Sequence, residues 1–196
     1  MKAQCMLAVL CAALFVGPAA AQDLFGTKDG VIRDEGKIGD RWMLAEGAQL
    51  ATPVYPAHLA ARGDDVCIAV GYRIDKQGKT TDFAVLRQWS SAGENEPVDG
   101  YWSAFAQSGA DALSQWRFAP RPGVSPVLPT YTVATLAFNA GGDDAAVLRG
   151  NCAVQDLAAE IQQHKSRRYM TSRAQRELDR VNHNSPKPRP PMPSRR

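Results

Sequence analysis

The chain has 196 residues, enough for one compact domain with extensions and too few for a large multidomain enzyme. With 44% hydrophobic and 22% charged residues, it is not a chain disordered throughout. The formal net charge of +3 conceals two opposed parts: residues 164–196 hold ten Lys/Arg against Glu177 and Asp179, while residues 22–163 hold 12 basic and 18 acidic residues. An acidic body and a basic tail differ in the partners they attract.

Residues 1–21 read as a secretory signal peptide. Lys2 gives the positive start, Cys5 to Val16 is uninterruptedly apolar, Gly17-Pro18 breaks the run, and Ala19-Ala20-Ala21 offers a small-residue cleavage site. A spanning helix needs about 20 apolar residues, so a cleaved leader fits better than an anchor. The mature protein is therefore expected to be exported and soluble. Export leaves Cys67 and Cys152 as the mature cysteines, and in an oxidising compartment they most simply pair. Two buried free thiols or a redox pair are the alternatives, although redox pairs usually sit close in sequence.

Residues 22–47 are polar, with little periodicity, and read as an irregular lead-in. Pro53 to Gly63 predicts a short helix, with Pro56 in its first turn and Gly63 as its stop. Val66 to Asp75 alternates as a strand: Val66, Ile68, Val70, Tyr72 and Ile74 on one face, Cys67, Ala69 and Gly71 on the other. A turn at 76–79 and a second β-rich run to Trp89 complete a hairpin. After a loop over 90–100, Trp102, Phe105, Ala112, Leu113 and Trp116 recur at helical spacing despite Gly109. The proline-rich stretch 121–129 reads as irregular, and Thr130 to Phe138 as a last strand. The expected fold class is α+β: a small antiparallel sheet, made of a hairpin plus a third strand, with two helices on one face and a C-terminal helical extension.

Three groups of residues carry a family resemblance. Tyr55-Pro56 is followed by Ala57, Ala60 and Gly63; Val66 to Ile74 ends in Ile74-Asp75 with the turn Gly78; and Trp116-Arg117-Phe118-Ala119-Pro120 leads to the closing strand. In this order and spacing, residues 48–139 resemble the TonB C-terminal domain family. Read without the family, Tyr55, Pro56, Gly63, Gly78, Trp116, Phe118 and Pro120 are structural, fixing helix ends and turns. The resemblance implies function elsewhere, on the outer edge of the last strand, which would take up a receptor segment as an added strand. That edge is Thr130 to Asn139; Tyr131, Val133 and Thr135 share one face, and Thr132, Ala134, Leu136 and Phe138 the other. The implied partner is a protein or peptide, with outer-membrane TonB-dependent receptors as the family's partner class.

Three features depart from the family's energy transducers. The leader looks cleavable, residues 22–47 contain no proline, and the chain runs well past the last strand. This points to a binding module or an accessory of transport rather than an anchored transducer.

Residues 140–184 read as a helical extension, with Val154, Leu157, Ala158 and Ile161 as one stripe and Met170, Ala174, Leu178 and Val181 as another. Since the helices of the resembled fold cover one sheet face, the extension is expected to dock on the small residues Cys67, Ala69 and Gly71 of the other, stapled by Cys67–Cys152. Residues 185–196 form a Pro-rich basic tail. It is either solvated or attracted to an anionic envelope surface of glycan or lipid, which makes an envelope adaptor the alternative function. Export and the lack of interleaved aromatics argue against nucleic acid.

Catalytic chemistry finds no foothold. Gly78-Lys79-Thr80 lacks the earlier glycine of a phosphate loop, His58, His164 and His183 are scattered, and Asp64-Asp65 and Asp143-Asp144 sit in loops where solvation explains them. No catalytic residue, metal ligand or cofactor is assigned; an enzyme would need a site converging from distant positions.

Overall fold

A computed structural model of the chain describes residues 30–93, 98–142 and 144–167. The expected signal peptide, Asp143, the expected second helical stripe, His183 and the Pro-rich tail lie outside the described residues.

The central strand is β3 (Val66–Ile74), and residues 66–72 are all buried. Its alternation sends side chains into two separate cores. Val66, Ile68, Val70, Tyr72 and Ile74 join one, and Cys67 and Ala69 join the other. A hairpin connects β3 to β4 (Thr80–Ser90). The Asp75 carboxylate accepts from the amides of Gln77 and Lys79, both at 2.9 Å, and Gly78 takes a left-handed φ of 79°.

The first core lies under α1 (Tyr101–Ser114) and a 3₁₀ helix at Ala57–Arg62. The expected helix over 53–63 is thus a shorter 3₁₀ segment, and it stops at Gly63 as predicted, with φ 66°. On α1 the buried face is Tyr101, Phe105, Gly109, Ala112 and Leu113, while Trp102 is only partly buried. Gly109 is where the helix meets the sheet, since a β-carbon there would lie 2.8 Å from Ile68 Cδ1 and 3.0 Å from Leu136 Cδ1. Trp116 falls just beyond the helix, stacks edge-on to Tyr72 and Phe118, and donates its indole N–H to the Ala51 carbonyl at 2.9 Å.

The last strand, β6 (Thr130–Phe138), pairs antiparallel with the whole of β3 in unbroken register. The lead-in departs from the irregular reading. It contributes β1 (Val31–Ile32), which pairs parallel with β6 at Thr130 and Tyr131, and β2 (Trp42–Leu44), which pairs antiparallel with β5 (Phe118–Pro120). The sheet is therefore four-stranded and mixed, in the order β1-β6-β3-β4, beside a two-stranded β2-β5 ribbon. Trp42 is buried, and its indole N–H donates to Thr130 Oγ1 at 2.8 Å. One aromatic in a polar stretch, without periodicity, gave no sign of this anchor.

The second core forms under the C-terminal extension. Helix α2 (Ala145–Cys152) starts on Asp144, whose carboxylate accepts the Ala146 amide at 2.7 Å. Cys67 and Cys152 are disulfide-bonded across a Cα–Cα distance of 6.0 Å. A break over 153–156 precedes a second helical stretch, 157–167. Val154, Leu157 and Ile161 pack with Cys67, Ala69, Tyr131 and Val133, as the stripe predicted. Ala158 does not share that face; it is exposed, and Glu160 is buried instead.

Candidate functional site

The predicted edge residues divide between the cores as alternation requires. Tyr131 and Val133 face the extension, and Ala134, Leu136 and Phe138 face α1. Thr130, Thr132 and Thr135 are buried too. Most side chains of β6 therefore serve the fold, and what a partner strand could meet is chiefly the outer main chain and the Thr135 hydroxyl.

That outer side is already partly occupied. The Val31 amide donates to the Pro129 carbonyl and the Arg33 amide to the Tyr131 carbonyl, both at 2.9 Å. Further along, both donors of Thr135 meet one carboxylate: its amide donates to Glu35 Oε1 at 2.6 Å and its hydroxyl to Glu35 Oε2 at 2.7 Å. By alternation, Val133 and Ala137 turn their main-chain groups to this same side. The outer side of β6 is thus lined by residues 31–35 from Thr130 as far as Thr135. Each neutral hydrogen bond of this kind nets about 0.5–1.5 kcal/mol, and those to a charged group about 1.5–3 kcal/mol. The contacts number only a few, and Asp34 and Glu35 are exposed.

The opposite edge is less suited to adding a strand. Among the described residues no strand pairs with the outer side of β4. Its pairing with β3 is interrupted twice, between Ala69 and Val70 and between Gly71 and Arg73, and Asp82 holds a positive φ of 57°. Bulges twist an edge out of the plane a new strand needs. A shallow groove of about 310 Å³ between β4 and α1, floored by Val70 and walled by Phe83, Val85 and Ala106, accompanies this edge.

The covering segment is fastened to the extension. Asp34 Oδ1 accepts the Leu157 amide at 3.0 Å, at the start of the 157–167 helix. That helix is held to β4 by Glu160, 4% exposed, which accepts the Arg87 fork at 3.0 and 2.8 Å and Arg167 at 3.0 Å. Arg33 pairs with Asp40, whose carboxyl its guanidinium holds below the ordinary range.

The Tyr55 hydroxyl donates to the Asp64 carbonyl at 2.8 Å, and its ring meets Phe105 edge-on at 5.2 Å. Pro56 precedes the 3₁₀ helix, and Pro120 pairs with Trp42. Asp64-Asp65 corrects its reading as a solvated pair. Asp64 binds Arg62 and accepts the Tyr101 hydroxyl, while Asp65, 7% exposed, accepts the Ala140 amide at 2.8 Å. Burial foremost, with the Asp64 charge adding, pushes the Tyr55 hydroxyl above its ordinary pKa. Among the described residues no group of three or more His, Cys, Asp or Glu is placed to hold a metal ion, and no helix is long and apolar enough to cross a membrane.

Sequence reasoning missed Val31, Ile32, Asp34, Glu35 and Trp42. A two-residue strand is too short for periodicity to register; the adjacent β-branched pair after Gly30 was the available signal.

No protein-family model and no curated protein matches the chain. Among solved structures it is similar to the solution NMR structure of the Pseudomonas aeruginosa TonB CTD, at 22% identity and a TM-score of 0.41, over 57% of this chain and 97% of that one.

Proposed function

We propose that the protein is an exported, periplasmic interaction module that takes up an extended segment of a protein partner as an added strand on the outer side of β6. TonB-dependent outer-membrane transporters are the partner class, and the role is that of a binding module or transport accessory. The supporting observation is that β6 pairs without a bulge along nine residues of β3 while its outer side already carries a parallel strand of the chain itself. A main-chain ladder that accepts one strand is a template for another of suitable chemistry. The reading also draws on the Tyr55-Pro56, Ile74-Asp75 and Trp116 to Pro120 motifs. Capture of receptor N-terminal segments tests it. Val133→Pro removes an outward amide from β6, and Ala137→Pro does so at a half-buried position. Both are expected to reduce capture by about tenfold or more, a loss of roughly 1.4 kcal/mol, with the melting temperature as a control for folding. Capture unchanged in both variants contradicts strand addition on β6.

A further inference from the structure

The segment lying on β6 is a sample of what that edge accepts. Val31 and Ile32, adjacent and β-branched, are half-buried against Thr130 and Tyr131 in parallel register. Three residues on, Glu35 delivers its carboxylate to the two donors of Thr135. An N–H and an O–H aimed at the two oxygens of one carboxylate form a charge-assisted pair that no neutral acceptor matches as well. Gly30 completes the fit, since a β-carbon there would lie 2.4 Å from the Tyr131 ring. The segment is also short in main-chain contact and tethered, so its hold reflects high local concentration more than intrinsic affinity.

We propose that residues 30–35 are an internal occupant of the β6 edge, and that the partner is an extended segment parallel to β6 carrying the same pattern: two adjacent β-branched aliphatic residues followed three positions later by a carboxylate. This rests on strand addition at β6 and adds both the partner's chemistry and a regulation. The partner replaces the occupant rather than adding outside it, because β1 offers two paired residues as a template where β6 offers nine. The Asp34 contact with the Leu157 amide makes the release depend on the C-terminal extension. A site occupied most of the time shows an affinity lowered by the fraction of time it is free.

The test uses the full mature chain and a peptide of its own residues 30–37, Gly-Val-Ile-Arg-Asp-Glu-Gly-Lys. Val31→Pro with Arg33→Pro removes the two amides that donate to β6. This variant is expected to bind the peptide about tenfold more tightly than the parent chain, the factor set by an occupant in place about nine-tenths of the time. Glu35→Gln within the peptide is expected to reverse most of that gain. If the double variant does not fold, Glu35→Ala in the protein takes its place, with a gain of about threefold, since it removes one anchor of several. Equal binding by parent and variant overturns the internal occupant while leaving strand addition standing. Peptide binding indifferent to Glu35→Gln overturns the carboxylate requirement. Dimerisation of the variant without peptide assigns the edge to a second copy and overturns the foreign partner. Strand addition itself falls only if Val133→Pro and Ala137→Pro also leave receptor-segment capture unchanged.

Discussion

A methyl group on Gly78 would lie 1.8 Å from the Phe118 carbonyl oxygen, at a residue whose φ is 79°. The Gly78 carbonyl also accepts the Phe118 amide at 2.9 Å, so this turn is where the hairpin touches the start of β5. Gly78→Ala therefore meets two penalties, a left-handed backbone costing about 1–2 kcal/mol and a backbone clash that no rotamer relieves. Gly109→Ala meets only the mobile ends of Ile68 and Leu136, and gains up to about 1 kcal/mol of helix propensity against an overpacking cost of about 1–3 kcal/mol. Chemical denaturation is expected to rank Gly78→Ala as much the more damaging. The turn was legible in the sequence, but the contact with Phe118, about 40 positions away, was not. Tyrosines supply a second residue-scale expectation. Burial foremost, with the Glu35 charge adding, pushes the Tyr72 hydroxyl well above its ordinary pKa of 10.0, and burial pushes Tyr101 up as well. A raised acid pKa in the folded state gives stability that is complete below pH 10.0 and is lost as pH climbs above it toward the folded value. Tyr72→Phe is expected to move alkaline unfolding, followed by tyrosinate absorbance, to higher pH.

Both faces of β3 are buried, and the second is covered because the extension folds back on it. The disulfide closes a separation of 85 residues, which removes roughly 4–5 kcal/mol of unfolded-state entropy in the chain-entropy account. Cys67→Ala with Cys152→Ala is expected to lower stability by that order, while the core under α1 keeps its near-ultraviolet aromatic signal. Leu157→Ala, at a fully buried position, is expected to cost about 2–5 kcal/mol in a urea melt. This half of the fold was readable because its signals are periodic or chemical: small residues on one strand face, a stripe of Val154, Leu157 and Ile161, and two cysteines outside the expected leader. The stripe failed at Ala158, since a break over 153–156 resets the helical phase and brings Glu160 inward to Arg87. The lead-in failed for a different reason. Its elements are two or three residues long, and they are defined by partners in β5 and β6 rather than by any pattern of their own.

At the scale of the whole molecule, one sheet has two unequal edges. The β4 edge is long but doubly bulged, and the β6 edge is regular but lined by residues 31–35. The candidate strand was legible as the last β-run of a resembled family; its state of occupation was not, because it depends on a contact between sequence positions about 100 apart. On the proposed function, a partner segment enters on β6 in place of the occupant. Hydrogen exchange of individual amides, measured with and without a bound receptor segment, tests this most directly. Replacement of the occupant gives slower exchange at Val133 and Ala137, faster exchange at Val31 and Arg33, and no change along β4. Slowed exchange along the outer amides of β4, with β6 and β1 unaffected, would contradict it.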